Sequence, residues 1–109
     1  MPKRRIEGPE GGHPAFVAGL VSFEFWNNDD ETYRDKALRD LAHDCRERLN
    51  ISAVMIVAGG EPESGRIAFS GAARNLSQAE SLASDVMKFL DEKAPARIVG
   101  DNWIAEEIP

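Results

Sequence analysis

Three consecutive acids, Asp29, Asp30 and Glu31, are the first residues whose type and spacing point to chemistry in this 109-residue chain. Carboxylates gathered this way can hold a hard cation such as Mg²⁺. They also stand directly before a helical pattern, where acids cap the first turn and favour the positive end of the helix dipole. No fourth spaced carboxylate and no Asp/Asn-Gly loop of the EF-hand kind follows, so capping is the preferred reading. His13 and His43 have no Cys, His or acid partner at the spacing of H-E-x-x-H or C-x-x-C, and no zinc site is assigned. Cys45 falls on an apolar helical stripe without a Cys-His-acid order, and we expect a buried structural thiol. Gly59, Gly60 and Gly65 bracket a loop that contains Glu61 and Glu63 and leads into a strand. Phosphate cradles open into a helix instead, which excludes P-loop and Rossmann nucleotide binding. The sequence therefore offers no catalytic residue, cofactor or metal ligand, and it does not read as an enzyme.

The elements that must position these residues form a doubled pattern of apolar strand, amphipathic helix and apolar strand. Residues 15–26 read as a strand, with Val17, Val21, Phe23, Phe25 and Gly19 on one parity and Phe16, Ala18 and Leu20, then Ser22 and Glu24, on the other. Thr32 with Asp35 makes an S/T-x-x-acid capping box for a helix over 33–49. Its apolar stripe is Leu38, Leu41, Ala42, Cys45 and Leu49, which leaves His43 about 140° from the stripe centre, in solvent. Asn50 stands where a left-handed C-terminal residue belongs. A β-branched strand over 51–58 and a strand over 66–73, with Ile67 and Phe69 in register, flank the glycine-rich loop. Ser77 with Glu80 opens a second helix carrying Ala79, Leu82, Ala83, Val86, Phe89 and Leu90, which Ala94-Pro95 ends. A last strand over 97–108 is broken by Gly100, Asp101 and Asn102, where a bulge is expected. The order β-α-β-β-α-β predicts an α+β, ferredoxin-like fold, a four-stranded antiparallel sheet with both helices on one face.

Composition sets the bounds. Hydrophobic residues make up 42% of the chain and charged residues 29%, ordinary values for one globular domain. We divide it into a flexible arm, 1–14, and a single domain, 15–109. The arm begins with Lys3, Arg4 and Arg5 but has no apolar stretch of a signal peptide, so a cytoplasmic protein is expected. One cysteine rules out an intramolecular disulfide. Net charge is −6; the arm holds three basic and two acidic side chains, leaving about −7 on the rest. Such a body repels phosphate backbones, so nucleic acid is expected at most through the basic arm. No apolar run approaches the length of a bilayer span.

Several motifs carry a resemblance. Thr32-Tyr33-Arg34-Asp35-Lys36 matches a helix-opening S-L-K-D/E-K-R tract, Arg48-Leu49-Asn50-Ile51-Ser52-Ala53 is similar to R-F-N-V-S-V, and the chain closes on Ala105-Glu106-Glu107-Ile108. On these tracts residues 15–108 resemble the YlxP-like family, small bacterial proteins of unknown function. Ala37 stands where that family usually has arginine, and the 59–65 loop lacks its tryptophan-containing tract. The resemblance implies a ferredoxin-like domain. It also implies association with the ribosome or translation factors, because the family's genes often lie beside those for translation initiation and ribosome maturation.

What remains is a sheet face opposite the helices. Phe16, Ala18, Leu20, Ala68 and Ala72 are expected there, an apolar patch suited either to a homodimer by face contact or edge pairing or to cover by the N-terminal arm or the last strand's side chains. Arg34, Lys36, Arg39, Arg46 and Arg48 on the first helix are candidate contacts for a partner, with Asp40 and Asp44 as i,i+4 acids beside them. The leading expectation is thus a binding protein. A second is a small-molecule or enzymatic site at a dimer interface, using Ser22, Glu24 and Arg66; a third is RNA binding through the arm. Gly65-Arg66-Ile67-Ala68-Phe69 only faintly echoes the third strand of an RNA-recognition motif, because Ile67 and Ala68 replace its aromatic and glycine positions.

Overall fold

Alternating side chains on the first strand organise the whole molecule, as the computed structural model makes plain for residues 13–25, 30–56 and 64–109. The elements are β1 (Ala15–Glu24), α1 (Glu31–Leu49), β2 (Ser52–Ile56), β3 (Ser64–Ala73), α2 (Leu76–Lys93) and β4 (Arg97–Glu107). They form one antiparallel sheet in the order β2-β3-β1-β4. Each strand–helix–strand unit therefore brackets a strand of the other, which is the ferredoxin-like arrangement. The 1–14 arm, apart from His13 and Pro14, and the Gly59, Gly60 and Asp29 positions lie outside the described residues.

The core is a sandwich of helix stripes and one face of the sheet. Val17, Val21 and Phe23 of β1 are fully buried, as are Ile67 of β3 and Ala79, Ala83, Val86 and Leu90 of α2. Leu38, Leu41, Ala42 and Cys45 supply the stripe of α1. Each large apolar side chain buried this way contributes about 1.5–3 kcal/mol. Gly19 sits on the same face, where a Cβ would come within 2.6 Å of the Phe69 ring and 2.7 Å of Trp103 Cβ. Any larger residue there would have to displace the Phe69 ring and the Trp103 Cβ.

Both helix starts differ from the expectation. Asp30, not Thr32, caps α1, its carboxylate accepting the Tyr33 N–H at 2.8 Å. Asn75, not Ser77, caps α2 by accepting the Gln78 N–H, while the Gln78 side chain accepts the Arg74 N–H. Thr32 and Ser77 lie inside their helices, two residues further on. Both Asp30 and Asn75 take up the extended backbone that an N-cap requires, which places their oxygens over the free N–H groups of the first turn. Asn50 does close α1 in the left-handed conformation, at φ 53°. The irregularity in the last strand falls one position early. Ser22 pairs with Gly100 and Phe23 with Ile98, so Val99 is the extra residue of a bulge.

Candidate functional site

Pleating sends alternate residues of β1 to opposite sides, and among the described residues this creates an extended apolar surface that the two helices leave open. Phe16, Ala18 and Leu20 point away from the helices and are only partly buried. Register carries that face to β3, where Ala72 pairs with Phe16 and Ala68 with Leu20. The five positions expected on the open face are thus brought together. The structure adds three that sequence reasoning did not assign: Val54 and Ile56 of β2, and Ile104 of β4. Val54 is 51% exposed and Ile104 50%, high values for large apolar side chains. β2 alternates buried Ala53 with exposed Val54, yet both are apolar, so no parity signal marks the difference in the sequence.

Polar groups gather at one end of this face. Ser22 pairs directly with Arg66, and one step along, the exposed Glu24 carboxylate makes an ion pair with Arg97 of β4. Ser22, Glu24 and Arg66, the polar candidates for a ligand site, are therefore neighbours. At the opposite end the charge is Glu106, beside Phe16. The cluster offers hydrogen bonds and charge. It contains no nucleophile with a base positioned to activate it.

The five cations of α1 do not form a patch. Arg34 is buried, 8% exposed, on the same stripe as Leu38 and Leu41, so it belongs to the inner side of the helix rather than to an exposed basic surface. Its i−4 and i−7 spacing to those leucines is the signal that would have placed it there. Lys36 is paired with Asp40 at 2.8 Å, which raises the ammonium pKa and lowers the carboxyl pKa through their hydrogen bond. Arg46 donates to the Ala53 carbonyl at 2.6 Å and approaches His43 Nδ1 at 3.3 Å, tying α1 to the edge strand β2. Arg39 and Arg48 are exposed but nine residues apart, which puts them about 180° apart around the helix. Acids Asp40, Asp44 and Glu47 lie between these cations in the sequence.

Other chemistry-bearing residues resolve into structural roles. Asp30 is a helix cap, and Glu31 stands in the first turn. Cys45 is completely buried, and desolvation pushes its thiol pKa up to about 11. Such a thiol is held protonated and unreactive. Among the described residues no three His, Cys, Asp or Glu side chains are placed to hold a metal. None of their helices is long and apolar enough to cross a membrane.

A second feature opens just before β2 begins. Its first pair is Ser52 with Ser70, whereas β3 runs on to Ala73, so Gly71 and Ala72 border an open groove with Arg46, Asn50 and Ile51 opposite. The Arg46 guanidinium there is already committed to Ala53 and His43.

No family model and no curated protein matches the chain. Among solved structures it is similar to a dimeric protein of unknown function and ferredoxin-like fold from Bacteroides fragilis NCTC 9343. The identity is 13%, the match covers 85% of this chain and 96% of the other, and the TM-score is 0.46.

Proposed function

We propose that this protein acts by binding rather than by catalysis, as a homodimer joined through the open sheet face. The observation that carries the reading is the eight apolar side chains, from Phe16 to Ile104, that share one side of the sheet with neither helix over them. Contiguous apolar surface of this kind is costly in water and marks a contact site. Its residues are small and aliphatic except for Phe16, which suits a packed protein surface better than base stacking. The resemblance to the YlxP-like family supplies the proposed setting, association with the ribosome-maturation or translation machinery in the cytoplasm. Light scattering on the purified chain tests the self-association, and a dimer mass is the expected result. Capture from lysate with and without nuclease, at several salt concentrations, tests the setting. Nuclease-resistant recovery of ribosomal proteins or translation factors supports it. Recovery of RNA only at low salt, lost on deletion of residues 1–14, would move the account to the arm.

A further inference from the structure

The sizes of the outward side chains specify how two copies meet. We infer that the dimer two-fold runs parallel to the strands, between β1 and β3, so that β1 of each copy lies over β3 of the other. This rests on the self-association proposed above and adds its symmetry. β1 presents Phe16 and Leu20 outward, whereas β3 presents Ala72 and Ala68 in the same rows. Facing sheets pack about 10 Å apart, a gap filled when a large side chain meets a small one. A two-fold parallel to the strands sets Phe16 on the partner's Ala72 and Leu20 on the partner's Ala68. It also sets Ile56 of β2 on the partner's Gly100 of β4, which is again large on small.

A two-fold perpendicular to the strands does the reverse. It lays each strand over its own copy, so the large side chains of β1 crowd one another and the alanines of β3 leave a void. Overpacking and cavities both destabilise an interface. Area is sufficient for the first arrangement. Four strands about 4.8 Å apart, with outward rows about 6.8 Å apart, present roughly 550 Å² per copy and about 1,100 Å² in all. Specific interfaces need about 1,000 Å² or more. The chosen axis also keeps the polar ends together, so that Ser22 faces the partner's Arg66 and no two like charges are superposed. Both copies of the Ser22, Glu24 and Arg66 cluster then lie at one end of the dimer.

Two edge positions in the central row decide between the axes, Val54 on β2 and Asn102 on β4. The parallel axis puts Val54 over the partner's Asn102, with the two Val54 side chains about 14 Å apart across the sheet. Full-length Val54→Cys and Asn102→Cys proteins are prepared separately, mixed, and treated with a short bismaleimide. The buried Cys45 of the wild type serves as the unreactive control. A covalent dimer that forms only in the mixture is the expected result. Cross-linking of Val54→Cys alone to itself overturns the proposed axis while leaving the face in place. A dimer that yields neither product meets through another surface and overturns both. A monomer by light scattering removes the dimer itself, and with it the premise.

Discussion

Val21 and Leu20 are neighbours in the chain and differ by little in apolar character, yet they sit in opposite worlds. Val21 is fully buried beneath the helices, among Phe23, Ile67, Val86 and Leu90. Leu20 is on the reverse of the same sheet, only partly buried, with Ala68 on one side and Asn102 on the other. The inner face is closed by the chain's own helices; the outer face is apolar, and no helix among the described residues lies over it. The comparison separates two reasons for a strand to be apolar. One face serves the fold, and the other is where we propose that a second copy packs.

The sharpest way to break this comparison is to truncate one residue on each side. Ile67→Ala empties a fully buried site and should cost about 2–5 kcal/mol in denaturant unfolding. Leu20→Ala, read by the same unfolding curve at concentrations where the chain is monomeric, should cost less than about 1 kcal/mol. Equal losses would mean that both faces are core.

A second test reads the closed side through its thiol. Cys45 has a folded pKa raised from 9.0 to about 11 by burial, so the folded state holds its proton where the unfolded state releases it. The stability from this group is complete below about pH 9 and is lost as pH rises toward about 11. The wild type should therefore lose about 2 kcal/mol more than Cys45→Ala between those pH values, measured by unfolding at each pH. Parallel pH profiles would show that the thiol is solvated.

Smaller effects sharpen the account of how the helices are fixed over the inner face. Asp30→Ala and Asn75→Ala should each lower stability by about 1 kcal/mol, while Thr32→Ala and Ser77→Ala should stay within about 0.5 kcal/mol. Thermal unfolding of the four variants distinguishes them. Loss at Thr32 and Ser77 instead would restore the caps expected from the sequence.

These caps illustrate what was legible in the chain. The element order and the inward residues of β1, α1 and α2 follow from periodicity, because burying an alternating or 3.6-residue stripe leaves one solution. The caps were displaced because Asp30 and Thr32, and likewise Asn75 and Ser77, are all capping residue types two positions apart. Backbone conformation chooses between them, and residue type alone does not. Arg34 was misplaced because its charge outweighed its position on the Leu38 and Leu41 stripe. On the open face, Phe16, Ala18, Leu20, Ala68 and Ala72 were legible from strand parity. Val54, Ile56 and Ile104 were not, since β2 is apolar on both sides and the Val99 bulge shifts the pairing at one end of β4.

The central claim is that the outer face, rather than the exposed β4 edge, joins two copies. Sedimentation velocity on three proteins tests it most directly: the wild type, Leu20→Lys on the face, and Val99→Lys at the bulge, where Val99 is 52% exposed. The account predicts a dimer for the wild type and Val99→Lys, and a folded monomer for Leu20→Lys. A wild type that is monomeric throughout, or a Leu20→Lys variant that remains dimeric, would contradict it.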